Sequence, residues 1–535
     1  MRRDVGRRVG FVWGRIFAAG EFLTWFQSFS PGGAKTTDVK KKSTIQHMSS
    51  SIDSVRGMRD VLPHELAAQL TTAAQLDQAL AGYGYQPIEL PIIEQRDLYG
   101  RKLGEELVGK VYEFSFSGRE LALRPEWTAS VLRAYVGRLQ DQPLPLRLRY
   151  AGPVFRNERP QRATYRQFTQ VGVELIGGPA PRADAECIAL ACAGLDATGV
   201  QGYRVRIGHI GLVRGLLREL GLAERTQGLL AWSLERMRQH GIGAVRDRLD
   251  AAHGELPFDA ALLEGLDDAQ AEALLLGSLQ AIGVNLEFGT RSPEAIVGRL
   301  VRKLRRQDPQ PQIERALALL ERLCAIQGPA DASLSAAAAL LDEFDLPAST
   351  LDPLRAIIDA IAAHRVPDAR IVLDFGLGRG LHYYTGAIFE IYNQDGLQLC
   401  GGGRYDDLVT ALGGRQPVPA VGFAYGLERV VLAGSQTPDD RRPMMEVLVV
   451  SADDNSYPYA LEVAQALRER GYVAAVDVRG RSVAGNLRDG ARRGFGAIAV
   501  VGAAERSRNE VIWRDLATRA ERRIALSELP RVERV

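Results

Sequence analysis

The sequence predicts an α+β fold: an antiparallel sheet with flanking helices, interrupted by a helical insertion and followed by a small α/β domain. Three observations predict it. Strand-like runs at 111–124 and 146–176 come in adjacent pairs joined by short polar or charged loops, as antiparallel hairpins are. From about 203 to 368 the texture changes to Leu, Ala, Arg and Glu with helical apolar spacing and few strands. Beyond 443, apolar strands alternate with amphipathic helices, the pattern of an α/β layer.

Taken in order, residues 1–50 read as a disordered extension. Arg2, Arg3, Arg7, Arg8 and Arg15 surround short apolar runs that are too short and too charged to span a bilayer. An arginine-rich, acid-poor leader fits a targeting segment; it fits equally an upstream extension with Met48 as the working start. The core's first part is expected over 51–202. Within it, 61–84 has helical spacing and 85–93 reads as a strand. Residues 111–116 and 120–124 form a hairpin around Ser117-Gly118. Residues 126–138 are helical, 146–155 and 167–176 are paired strands, and 183–197 is an amphipathic helix.

The helical insertion is expected over 203–368, with helices near 234–249, 292–306, 313–326 and 350–364. Its basic cluster Arg302, Lys303, Arg305 and Arg306 is a solvated helix end or an RNA contact. The core resumes over 369–434, a charged, proline-bearing linker covers 435–443, and 444–535 is the α/β domain.

Composition bounds the reading. The chain has 535 residues, enough for three or four domains at roughly 150 residues each. A net charge of +2 from 67 basic and 65 acidic residues neither requires nor excludes nucleic acid, since a local basic face would suffice. Hydrophobic content of 46% with 25% charged residues is that of a globular protein. Cys187, Cys192, Cys324 and Cys400 show neither metal-ligand spacing nor a disulfide pattern, as expected of reduced core thiols in a cytoplasmic enzyme.

The most informative stretch is 155–174. It opens with the charged Phe155-Arg156-Asn157-Glu158-Arg159 and ends in a period-two alternation that puts Phe168, Gln170, Gly172 and Glu174 on one face. A ring, an amide and a carboxylate beside an arginine-rich loop suit a ligand with a planar base, phosphates and a cationic amine, because the guanidinium fork binds two phosphate oxygens at once. An ordinary hairpin with a solvated charged turn has the same pattern.

Further motifs occur in order along the chain. Pro91 ends an apolar strand after a helical run. Leu123-Arg124-Pro125-Glu126-Trp127-Thr128 precedes the charged hairpin. Gly378-Arg379-Gly380-Leu381-His382-Tyr383-Tyr384-Thr385-Gly386, the glycine-rich Cys400–Asp406 and Gly426-Leu427-Glu428-Arg429 come after it. Together these resemble the three signature motifs of class II aminoacyl-tRNA synthetases, and the Glu126 and Arg379 segments resemble the histidyl-tRNA synthetase subfamily. The resemblance spans about 53–525. It implies a class II core with a C-terminal anticodon-binding-like domain, and a homodimer formed around the motif 1 helix and strand at Pro91. It implies ATP with Mg2+, histidine and tRNA(His) as ligands and partners, no membrane, and a cytoplasmic location; it names no protein ligand for a metal.

The resemblance also implies roles. Arg156 and Arg429 match phosphate-binding arginines, and Arg379 matches the arginine that approaches the α-phosphate; these three are the expected catalytic residues. Glu158 matches the acid that reads the adenine amino group, and Phe168 the ring that stacks on adenine. Glu126, Thr128 and Gln170 match residues at the ammonium end of a histidine pocket and Glu174 and Tyr384 those at its imidazole end, with Trp127 and Tyr383 as further histidine-binding residues. Two positions depart from the family pattern: His382 stands where an aspartate is usual, and Thr164 where the motif 2 loop usually carries a basic residue. These departures keep a second reading open, that of the paralogue which serves as regulatory subunit of ATP phosphoribosyltransferase and would partner its catalytic subunit. The run Gly208-His209-Ile210-Gly211-Leu212 resembles that paralogue. Glu126, Arg379, Arg429 and the C-terminal domain resemble the ligase.

Overall fold

The computed structural model describes residues 52–100, 105–159, 163–253, 266–281, 292–304, 308–378, 383–434 and 446–532. The described sheets and helices all fall within the unit Ser54–Val535. The expected disorder of 1–50 and the linker 435–443 lie outside the described residues.

Helix Pro63–Gly82 starts with proline in its first turn, where the missing N–H costs nothing. It buries Leu76 and Leu80, each contributing about 1.5–3 kcal/mol of apolar burial, and it packs beside helix Arg182–Ala197. The charged hairpin lies where its alternation placed it. Strand β5 (Leu146–Phe155) pairs with β6 (Gln167–Ile176) over their whole lengths, from Leu146 opposite Ile176 to Phe155 opposite Gln167.

The remaining core strands are β1 (Gln86–Pro87), β7 (Arg204–His209), β8 (Gln327–Gly328), β9 (Ile371–Asp374), β10 (Ala387–Tyr392), β11 (Gln398–Arg404) and β12 (Ala420–Gly426). They form a nine-stranded sheet in the order β1-β5-β6-β12-β11-β10-β7-β9-β8. The run from β5 to β7 is antiparallel throughout. The sheet is mixed near its edges, where β1 joins β5 and β9 joins β7 in parallel.

Two expectations are corrected by this topology. The strand expected over 85–93 is broken: Gln86–Pro87 pairs with β5, whereas β2 (Ile93–Gln95) joins the hairpin β3 (Tyr112–Phe116) and β4 (Arg119–Leu123) in a separate three-stranded sheet. Pro87 and Pro91 remove two ladder donors within one short run, so the chain changes partner between them. The β3–β4 hairpin turns at Ser117 and Gly118, both with positive φ, as a tight two-residue turn requires.

The insertion boundary at 203 also moves. Arg204–His209 is a strand of the core sheet, paired with both β10 and β9. Buried Ile313, Leu317, Leu334, Leu354 and Ile357 belong to the same core cluster as the sheet. Helices Asp268–Ala281 and Pro293–Leu304, by contrast, close a small cluster of their own around Leu275, Leu279, Val297 and Val301. The separately packed part of 203–368 is therefore narrower than its leucine-rich texture suggested. The side chains of Arg302, Lys303, Arg305 and Arg306 lie outside the described residues.

The C-terminal domain follows its pattern. Strands β13 (Glu446–Ser451), β14 (Val473–Val476), β15 (Ala497–Val501), β16 (Glu510–Asp515) and β17 (Glu521–Ala525) order as β14-β13-β15-β16-β17. The first three are parallel and the last two antiparallel. Helices Tyr457–Glu469 and Val483–Arg492 are the crossovers. Arg481, Arg492 and Arg493 converge on Asp489 at 2.9, 2.6 and 3.5 Å, so arginines at the two ends of the second helix hold its own carboxylate.

His209 ends β7 and caps helix Ile210–Glu219, its Nδ1 accepting from the Leu212 N–H at 2.9 Å. An acceptor at that position must be neutral, and burial lowers the imidazole pKa to about 4. The folded state thus holds His209 neutral, and its contribution is complete above the ordinary value of about 6.5 and lost as pH falls toward 4. His209→Ala is expected to cost about 1 kcal/mol at pH 8 and to flatten the wild-type loss of stability between pH 6.5 and 4. Urea unfolding across that range checks both; an unchanged slope in the variant would contradict the assignment.

Candidate active site

The arginine-rich hairpin and helix Leu427–Ala433 face each other across a cavity of ≈ 210 Å³. Phe168 and Gln170 from β6, Ala424 and Gly426 from β12 and residues 398–401 from β11 form its floor. Arg156, Glu158, Thr164, Tyr165, Glu428 and Arg429 form its walls. Alternation along β6 explains the floor, and Gly426, which ends β12, turns the chain into helix Leu427–Ala433, aiming Glu428 and Arg429 inward. The segment at 56–59 straps the hairpin from outside. Arg166 donates to the carbonyls of Arg56 and Glu158, its own N–H donates to Gly57, and the Arg59 guanidinium lies 4.5 Å from the Tyr165 ring centre.

Two guanidinium groups present positive charge to this cavity. Arg156 donates through Nε to the Pro125 carbonyl at 2.8 Å and sits 5.4 Å from the Phe168 ring centre. Arg429 donates to the Ala163 carbonyl at 3.1 Å, the Gln398 carbonyl at 3.2 Å and Thr164 Oγ1 at 3.3 Å. Those three acceptors are neutral, and burial lowers the Arg429 pKa, opposed by nearby Glu158. A desolvated cation held by neutral acceptors is prepared for an anion. Thr164, one of the two departures, thus serves as a hydroxyl partner of Arg429. Glu158 pairs with Lys110 at 3.3 Å, and Glu428 accepts from the Thr169 N–H, closing the far wall.

Beside this cavity lies a buried polar cluster. Glu174 is fully enclosed and accepts from Thr128 Oγ1 at 2.7 Å, Tyr150 Oη at 3.0 Å and the Tyr405 hydroxyl. Burial raises its pKa well above the usual carboxylate value despite these donors. Tyr383 and Tyr384 pack on Tyr405 with ring centres 5.7 and 6.5 Å away. Glu126, also buried, uses Oε1 to accept the Ala129 N–H at 2.9 Å. Its Oε2 and the Gln170 Oε1 are buried without a hydrogen-bond partner among the described residues. Each unsatisfied buried acceptor costs roughly 1–3 kcal/mol, so two of them favour a ligand that brings N–H donors.

The structure therefore brings together Arg156, Glu158, Phe168, Gln170 and Arg429 in the cavity, and Thr128, Glu174, Tyr383 and Tyr384 in the polar cluster. Arg379 and His382 lie outside the described residues. Trp127 is fully buried, stacked on Tyr150 at 4.7 Å, with the Arg124 guanidinium 3.5 Å from its ring centre. It supports the floor from below because its large ring fills the space that Gly152 leaves open. Sequence reasoning missed Tyr150 and Tyr405, the two hydroxyls that fix Glu174. Tyr150 had a signal, since the hairpin register sets it opposite Gly172. Gly172 and Gly422 were missed as spacers: a Cβ at Gly172 would stand 2.7 Å from the Tyr150 hydroxyl, and one at Gly422 would collide with Glu174.

Glu174 also generates a stability prediction. A carboxyl whose folded pKa is raised favours the fold below its ordinary pKa and penalises it as pH rises through the folded value. Glu174→Gln removes that titration. The unfolding temperature of the variant relative to wild type is expected to be several degrees more favourable at pH 9 than at pH 5; an equal difference at both pH values would show that the group does not titrate in this way.

The chain is similar to known proteins over most of its length. A family model for histidyl-tRNA synthetase matches residues 57–287 and 294–430, and one for an anticodon binding domain matches 446–532. A histidine–tRNA ligase of a Synechococcus species is 33% identical over 488 residues, covering 89% of this chain and 97% of that protein. Among solved structures, apo histidyl-tRNA synthetase of S. aureus aligns with TM-score 0.54 at 24% identity over 89% of this chain and 98% of that one. A Bacillus halodurans structure titled as ATP phosphoribosyltransferase regulatory subunit/histidyl-tRNA synthetase aligns with TM-score 0.59 at 21% identity over 85% and 99%. At these identities the two structures establish likeness of fold.

Proposed function

Because the chain belongs to the histidyl-tRNA synthetase family, we propose that the cavity and its polar neighbour are one site, in which histidine is activated by ATP and then transferred to tRNA(His). The chain is an aminoacyl-tRNA ligase with a C-terminal anticodon-binding domain. The observation that carries the site reading is the pair of unpartnered buried acceptors, Glu126 Oε2 and Gln170 Oε1, beside an arginine-lined cavity.

In the first step a histidine carboxylate oxygen attacks the α-phosphorus of ATP. The bond to the bridging oxygen breaks, giving histidyl-adenylate and pyrophosphate. Two anions approach each other, so fixed positive charge is required where the charge develops. Arg156 and Arg429 supply it from opposite walls, and Arg379 is assigned to the α-phosphate by its place in the motif. Phe168 stacks on adenine and Glu158 accepts from its amino group. The ammonium of histidine donates to Glu126 and Gln170, with Thr128 beside them, and its imidazole meets Glu174 between the hydroxyl-bearing rings of Tyr383 and Tyr384. In the second step a hydroxyl of the terminal adenosine of tRNA attacks the carbonyl carbon and AMP leaves.

Glu428 puts a second carboxylate on the cavity wall, apart from the adenine-reading Glu158. This suits Mg2+, which takes one or two carboxylates and completes its shell with phosphates and water; Glu428 would hold it, and it would neutralise triphosphate charge. Exposed Leu62, Leu66, Leu70, Ile92, Ile93, Phe114 and Phe116 support a homodimer through the region around Pro91. Among the described residues no helix is long and apolar enough to cross a membrane, and a cytoplasmic enzyme is the reading we adopt. The anticodon-binding domain and the two cavity-lining arginines, Arg156 and Arg429, support the ligase reading over the regulatory subunit.

Exchange of labelled pyrophosphate into ATP tests the proposal. Exchange is expected to require histidine, to fall about 100-fold or more in Arg379→Ala and in Arg429→Ala, on the scale of lost transition-state donors, and to show a KM for histidine at least tenfold higher in Glu126→Gln. No exchange, with histidine still bound in calorimetry, would overturn the ligase and return the regulatory subunit.

A further inference from the structure

The segment that leads into Arg379 is held from outside the pocket. Asp374, the last residue of β9, is 1% exposed and carries a carboxylate in the core. Its Oδ1 accepts the Gly376 N–H at 3.1 Å. Its Oδ2 accepts from Arg238 at 2.8 Å, with Arg206 at 4.0 Å as a second, looser cation. Arg238 is 136 residues away in sequence, on helix Leu234–His253. That helix is bolted to the core by buried Leu234 and Met237 and kinks at Gly241, whose φ is 78°.

A second contact joins the same two elements. A Cβ at Gly378 would stand 2.9 Å from the backbone nitrogen of Glu235, and one at Gly376 would stand 2.9 Å from the Cys324 carbonyl. Residues 374–378 therefore run in a slot between the end of helix Gln310–Cys324 and the first turn of the helix that carries Arg238. Phe375 and Leu377 are buried there, so the slot has little slack.

We propose that Arg238 is a positioning residue for adenylation: by pairing with Asp374 it sets the root of the segment whose next residue is Arg379. The inference rests on the ligase reading. The physical argument is leverage. Removing Arg238 leaves a buried carboxylate whose remaining cation stands at 4.0 Å, and the favourable response is for the Asp374 end to shift toward water or toward Arg206. Gly378 has no room to shift independently of Glu235. A displacement near 1 Å of a charge-stabilising group costs on the order of 100-fold in rate. Arg238 does not line the cavity, so substrate binding should be spared.

The test is steady-state pyrophosphate exchange with the full chain. R238Q is expected to lower kcat about 10- to 100-fold with KM for histidine and ATP within threefold of wild type. R238K, which keeps the charge, should recover most of the loss. D374N should resemble R238Q, and the double variant R238Q/D374N should be no slower than the slower single variant. G378A, which leaves the ion pair intact but crowds Glu235, should also lower kcat, and it carries the test if R238Q does not fold. A kcat within twofold of wild type in folded R238Q, losses that multiply in the double variant, or a rise confined to KM would each overturn the inference. Exchange absent from wild type itself would overturn the ligase reading together with it.

Discussion

The carboxylate of Glu174 is the constraint around which the site is arranged. A fully enclosed carboxyl must be met by donors, and its three come from three places: Thr128 at the start of a short helix, Tyr150 on the neighbouring strand and Tyr405 just beyond β11. Each can reach it only if the strands stand in the observed register, because a slip of one residue would turn Glu174 to the opposite face. The glycines answer the same demand. Gly172 leaves space for the Tyr150 ring and Gly422 leaves space for Glu174 itself. What looks in sequence like flexible glycine is here a way of letting large polar side chains cross a sheet.

A second buried charge locks that sheet to its helices. Arg404, at the end of β11, donates to both oxygens of Asp184 on helix Arg182–Ala197, to the Gly178 carbonyl and to Asp406. Breaking such a pair on one side costs about 3–5 kcal/mol, because the surviving charge has no partner. The pair therefore constrains where the chain leaves β11 for Tyr405, and with it one of the three donors to Glu174. The Asp374–Arg238 pair does for the segment before Arg379 what Arg404–Asp184 does for Tyr405. In both, a charge from a distant part of the chain fixes the end of a core strand. The difference lies in exposure: Arg404 is as buried as its partner, whereas Arg238 is about a third exposed, and so the outer pair is the more open to influence.

Much of the fold was legible because its signals are local. The hairpin of β5 and β6 could be bounded from alternation and a charged loop, and the C-terminal domain from apolar runs separated by amphipathic helices. The failures share a physical cause. Arg204–His209 alternates only weakly and sits beside a long helical stretch, so nothing nearby shows that its partners, β10 and β9, arrive more than 160 residues later. The run from 85 to 93 looks continuous because its residues suit a strand; what divides it is which neighbour has free donors and acceptors at each proline.

By itself the sequence determined the chemical inventory of this protein and the order of its motifs: which residues could meet phosphate, a planar base, an ammonium and an imidazole, and which strand face would carry Phe168, Gln170 and Glu174. Those depend on side-chain chemistry and the period of a strand, both written within a few residues. Tertiary structure decided which of these groups are paired and which are left waiting. Glu126 and Gln170 keep unpartnered acceptors among the described residues, Arg429 keeps only neutral partners among its described bonds, and Glu174 is held by hydroxyls from remote segments. Pairing depends on distances between residues far apart in the chain, and burial sets what each unpaired group costs; neither quantity exists until the sheet has closed.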